Sequence, residues 1–253
     1  MWRQLIKVNI FSSVVINISA SLSISRQKMI RKIGLALALT ILINVTFAQS
    51  RFDGFYGQVG IGYEGLSPTV SNSNVSSDGT SAPIGIAINS SSSFSGVITA
   101  GYMTSINKSF LMGMGAEFSP VKGRKTTYSA SLPGYPIGTG TYNKENSYNI
   151  FLSPAAPIRN DGLIYGKFGY TGATLNDSFA SVSINENYSG FSLGLGYKQI
   201  FDSGLYGFFE GNYMHYGNKT YSQTGTVPGY TITSTITIQG DIYNFLVGLG
   251  YKF

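Results

Sequence analysis

The 253-residue chain offers few side chains for chemistry: 17 Lys and Arg, 11 Asp and Glu, one His and no Cys. A single imidazole, His215, cannot assemble a polyhistidine zinc centre, and the missing thiols exclude Cys-ligated metals and a disulfide scaffold. No residue pattern signals a cofactor or a metal. The charges of interest are those that strand alternation puts on one polar face: Glu64, Glu117, Lys167 and Glu210, with Lys198 and Lys252 nearer one end. An unpaired charge in a narrow interior costs several kcal/mol, so this set predicts pairing or hydration. Lys198 and Lys252, closer to solvent, are expected to need no buried partner. A second cluster, Lys122, Arg124 and Lys125, is of the kind that holds anionic phosphate head groups.

The net charge of +6 suggests a nucleic-acid partner until the charges are located. Arg3, Lys7, Arg26, Lys28, Arg31 and Lys32 account for all of it, and residues 49–253 are balanced. Nucleic-acid binding loses its support.

From Met29 the chain reads MIRKIGLALALTILINVTFAQS. A basic start, an apolar run over Ile33–Ile43 and the small-x-small pattern Thr46-Phe47-Ala48 predict a signal peptide over 29–48. The run is short for a helical span, which needs about 20 residues. Residues 1–28 read as an upstream extension, with Met29 as the true start. The remaining 49–253 form one domain.

In that domain, period-two alternation recurs. Phe55, Val59, Ile61 and Tyr63 share a face opposite Gln58, Gly60, Gly62 and Glu64. The same pattern runs through Phe94–Tyr102, Phe110–Phe118, Ile164–Tyr170, Phe191–Tyr197 and Leu205–Tyr213. It ends in Tyr243, Phe245, Val247, Leu249, Tyr251 and Phe253. A segment at Tyr148–Leu152 is the weakest, because Phe151 spoils its polar face and Pro154 and Pro157 follow. Eight strands result.

The connections alternate between short (105–109, 159–162, 199–204) and long (65–92, 119–147, 174–187, 217–239). Short turns at one end and long loops at the other describe a membrane-spanning barrel. In hydrocarbon a sheet must close so that no edge stays unpaired. Rows of Phe and Tyr would overfill an eight-stranded interior, whereas Gly, Ser, Asn and paired charges would fit. The apolar face therefore points outward, with aromatics near the strand ends at the interfaces. The expected fold is an all-β, eight-stranded antiparallel up-and-down transmembrane barrel with four long extracellular loops.

The ending YNFLVGLGYKF, with a terminal Phe and apolar residues at every second position before it, resembles the insertion signal of Gram-negative outer-membrane barrels. With the opening GFYGQVGIGY, residues 49–253 look like the OmpA-like or opacity-type outer-membrane β-barrel family. The resemblance implies an outer-membrane location and insertion by the barrel-assembly machinery, which would read Tyr243, Phe245, Val247, Leu249, Tyr251 and Phe253. No peptidoglycan-binding domain is expected.

His215-Tyr216-Gly217-Asn218 resembles the His-x-Ser-Asn stretch of outer-membrane lipid A deacylases, but Gly217 stands where the nucleophile should be. Without that hydroxyl a histidine base has nothing to activate, so no enzyme is expected. Two stretches echo each other, TYSASLPGY at 127–135 and TYSQTGTVPGY at 220–230; a hairpin duplication or shared Pro-Gly-Tyr turn chemistry is favoured over two surface hairpins that bind jointly. The charged face has two readings: a structural ion-pair network packing a closed barrel, or a gate over a narrow ion path. The expectation is a monomeric structural barrel, with outer-membrane lipid and lipopolysaccharide as partners. A small porin and a loop-borne adhesin are the rivals.

Overall fold

The structure, a computed structural model, describes residues 50–179 and 182–253. The leader expected over 1–48 lies outside the described residues. The described chain forms strands β1 (Gly54–Ser77), β2 (Thr80–Pro83), β3 (Gly85–Ile88), β4 (Ser91–Asn107), β5 (Phe110–Ser119), β6 (Thr126–Leu132), β7 (Tyr135–Ile158), β8 (Gly162–Phe179), β9 (Val182–Asp202), β10 (Leu205–Val227) and β11 (Tyr230–Lys252).

Eight of these close a ring in the order β1-β4-β5-β7-β8-β9-β10-β11, each antiparallel to its neighbours. Residue partners trace one circuit: Phe55, Tyr102, Met114, Leu152, Phe168, Leu193, Tyr213, Tyr243 and back to β1 at Gly65. The circuit returns ten residues from its start, and that stagger sets the strand tilt. Eight strands with such a stagger enclose an interior that side chains can fill.

Alternation decides the two faces. Phe245 is 73% exposed and its neighbour Leu246 only 2%. Phe55, Val59, Ile61, Tyr63 and their counterparts on every other ring strand are likewise exposed on the outer wall. The weakest sequence segment lies within β7, one of the longest strands. Its Phe151 does not spoil the inner face but is buried there.

The three short turns fall at Asn107–Phe110, Ile158–Gly162 and Asp202–Leu205. The long connections are mostly ordered extensions of the strands, with 120–125 left outside any strand. β10 and β11 stay paired to Val227↔Tyr230, and β1 and β11 to Ser77↔Ile232. Residues such as Thr220, Ser222 and Thr224 face Thr237, Thr235 and Thr233 with hydroxyl contacts of 2.8, 3.3 and 3.0 Å. Cross-strand hydroxyl pairs of this sort stabilise a ladder. Composition suggested loops because Ser, Thr and Asn are polar; β-branching and pairing decided otherwise. The hairpin tips are tight. Gly134 and Gly229 supply positive φ after Pro133 and Pro228, which is the turn chemistry behind the sequence echo. Where β4 and β5 end, β2, β3 and β6 take their places: β2 pairs with β1, β3 with β6, and β6 with β7.

Candidate functional site: the filled lumen

The inner face carries large aromatics, contrary to the expectation of small residues only. The reason is a repeated pairing of large with small. Tyr56 lies across from Gly101, Phe151 from Gly115, Tyr165 from Gly196 and Tyr206 from Gly250, each pair in register on adjacent strands. A Cβ added at any of these glycines would collide with the facing ring. Each ring thus lies along the wall over a bare backbone. The three tyrosine rings join Phe52, Met103, Leu111 and Leu163 in a buried cluster towards the short-turn end.

Above that cluster sits Lys167, 1% exposed, with Nζ 2.5 Å from Glu117 Oε1 and 2.8 Å from Glu210 Oε1. The ammonium also stands 4.4 Å from the centroid of the Phe151 ring. Each of the four carboxylate oxygens has a further donor as well. Asn149 donates to Glu117 at 3.1 Å and Thr99 at 3.4 Å. Tyr165 donates to Glu210 at 2.8 Å and Asn212 at 2.7 Å. Buried ion pairs hold only when the lone pairs are satisfied this completely.

Glu64 is not part of this triad. It pairs with Lys144 at 2.6 Å, and Lys144 also donates to Ser147 at 3.2 Å. Both partners are buried. Lys144 was missed because it falls in a stretch read as loop. A register shift between Lys144 and Ser147 also breaks simple parity counting there. The only sequence signal was a lone basic residue just ahead of Tyr148-Asn149.

Lys198 corrects a second expectation. It is 4% exposed, and its Nζ lies 3.7 Å from the centroid of Tyr56, 4.9 Å from Tyr206 and 5.1 Å from Tyr165. An aromatic cage replaces a carboxylate partner. The balance is also long-range: Glu117 and Glu210 are matched in number by Lys167 and Lys198. Lys252 borders the same small void as Lys198 but is only half-buried. The void between the triad and the Glu64–Lys144 pair leaves about 10 Å³ for the centre of a water molecule, about one water's worth.

The other sequence candidates lie on the outer wall. Lys122 bonds Glu145 at 2.9 Å, while Arg124 and Lys125 are exposed on the 120–125 connection. Tyr243, Phe245, Val247, Leu249, Tyr251 and Phe253 are all exposed along one line of β11. His215 Nδ1 lies 2.8 Å from Asp241 Oδ1, which also accepts from the Tyr213 hydroxyl at 2.8 Å. Its ring packs 5.3 Å from that of Phe191.

The profile of the family described as "Outer membrane protein beta-barrel domain" matches residues 34–253. No curated protein matches the chain. Among solved structures, the outer membrane protein OprG from Pseudomonas aeruginosa is similar at 14% identity, over 81% of this chain and 99% of that one, with a TM-score of 0.51. Ail, the attachment invasion locus protein of Yersinia pestis, is similar at 13% identity, over 79% and 99%, with a TM-score of 0.38. The outer membrane protease OmpT from Escherichia coli is similar at 12% identity, over 83% and 99%, with a TM-score of 0.46. At these identities the likeness is one of fold.

Proposed function

This chain belongs to the outer membrane protein β-barrel domain family, and we propose that it serves in the outer membrane as a closed structural barrel that presents a tall β-wall at the cell surface. One observation carries the reading. The lumen is crossed by the Glu117–Lys167–Glu210 triad, capped by Glu64–Lys144 and sealed below by the caged Lys198. Every charge in the triad has partners, so opening a path would strand buried ions at a cost of several kcal/mol each. The test is single-channel recording in planar bilayers. The barrel is expected to be silent, as is Lys167→Ala; steady conductance of the wild type would replace this reading with the porin.

The same reading gives the rest of the outer surface its roles. Arg124 and Lys125, exposed at the base of the wall, would contact lipopolysaccharide phosphates. Tyr251 and Phe253, at the end of the exposed β11 line, would be read by the barrel-assembly machinery. No catalytic role is assigned to His215: Gly217 offers it no hydroxyl, and its Nδ1 is engaged with Asp241. Adhesion is the second reading, favoured by the ordered β-hairpins above the membrane band. Cells with these hairpins shortened would then bind host surfaces less.

A further inference from the structure

Above the membrane band, the pairing of β9 with β10 fails early. β8 and β9 stay paired up to Phe179↔Val182, and β10 and β11 up to Val227↔Tyr230. Between β9 and β10 the register stops at Gly190↔Tyr216. Val182–Ser189 and Lys219–Val227 therefore each present one edge whose backbone groups have no strand partner among the described residues. On β9 this free edge is about 26 Å long, at roughly 3.3 Å per residue.

The seam has a local cause. The β10 register shifts between Tyr216 and Lys219, a bulge at Gly217-Asn218, and bulges bend a strand away from its neighbour. Side chains alone cross the gap. The Tyr188 and Tyr221 hydroxyls meet at 3.0 Å, and Lys219 reaches Glu186 and donates to the Asn187 carbonyl at 3.3 Å. An ammonium thus occupies an acceptor that a strand N–H would otherwise take. Beyond these contacts, Val182 and Ile184, on the same strand face as Tyr188, are 42% and 43% exposed.

An exposed strand edge is a template for another strand. We propose that the free edge of β9 over Val182–Ser189 docks an extended peptide segment of another protein, which adds as a strand where β10 pairs lower down. The unpaired groups are main chain, so the complementary ligand is main chain. Its side chains at every second position would lie over Val182 and Ile184, while its backbone supplies the affinity. Admission displaces the Tyr188–Tyr221 contact and the Lys219 contacts with Glu186 and Asn187, and leaves the pairing of β9 with β8 and of β10 with β11 in place. The inference rests on this end of the barrel facing outward from the cell. Peptide binding reads the edge and conductance reads the lumen, so either proposal can fail alone.

The probe is a fluorescein-labelled peptide with the sequence of residues 219–227, KTYSQTGTV, which can pair with β9 as lower β10 does. Polarisation against the full folded chain in detergent is expected to show saturable, one-to-one binding. Two N-methylated versions, blocking alternate amides, should separate: one loses affinity by about tenfold or more, the other keeps it. On the protein, Ile184→Pro and Asn185→Pro remove adjacent amides, and the variant whose amide faces the seam should fold yet lose the peptide. Heat-modifiable gel migration reports folding. Absent binding, or equal binding of both N-methylated peptides, overturns the proposal even if both proline variants misfold.

Discussion

Lys144 Nζ lies 2.6 Å from Glu64 Oε2, although the two residues are 80 positions apart in the chain. The pair is buried at the upper end of the lumen, away from bulk solvent. Its consequence is a sharp asymmetry between single and double substitutions.

Glu64→Gln leaves an ammonium buried without its carboxylate and is expected to destabilise the barrel by about 3–5 kcal/mol. Glu64→Gln combined with Lys144→Met removes both charges and should recover most of that loss. Urea titration followed by heat-modifiable migration measures both. Equal destabilisation of single and double variants would contradict the pairing.

The rings over glycines make a second prediction. Gly250→Ala puts a methyl into the space of the Tyr206 ring and should cost about 1–3 kcal/mol by overpacking. Tyr206→Leu removes the collision, so in that background the same change should cost little. A double-mutant cycle reads the coupling directly.

Above the membrane band, the Tyr128 hydroxyl donates to Asp177 at 3.0 Å. Burial raises the Asp177 carboxyl above its ordinary value of 3.8, outweighing the hydrogen bonds from Tyr128 and the Ser178 backbone that lower it. A raised folded-state pKa means that the protonated form favours the fold. The contribution is full below the ordinary value and fades as pH climbs through the raised one. Amide protection of β7 and β8 near Tyr142 and Asp177, corrected for intrinsic exchange, should therefore fall as pH rises past the ordinary carboxyl value and through the raised one. Asp177→Asn should flatten the profile.

At the base of the wall, Arg124 and Lys125 are free to meet anionic head groups, whereas Lys122 already bonds Glu145. Arg124→Gln with Lys125→Gln should lower co-purifying lipopolysaccharide, and adding Lys122→Gln should lower it little further. Phosphate assay of the purified barrel decides this. Unchanged retention in all variants would remove the assignment.

Much of the ring strands was legible from alternation, because a side chain's face depends only on its position within its own strand. Phe245 and Leu246 point opposite ways whatever their neighbours do. Glu117, Lys167 and Glu210 could likewise be placed on the inner face, and their need for partners followed from the cost of buried charge. Lys144 was illegible because a bulge resets parity, and no local pattern marks where a bulge falls. Lys198 was misjudged because depth along the strand was taken as exposure, when three tyrosines from other strands close over it.

From its order of residues alone, this protein was committed to eight alternating strands with a greasy outer wall. Folding in three dimensions chose which ring would cover which glycine, which lysine each acid would meet, and where β9 would part from β10. Those choices depend on register between segments far apart in the chain, and register is settled only when the last strand returns to the first.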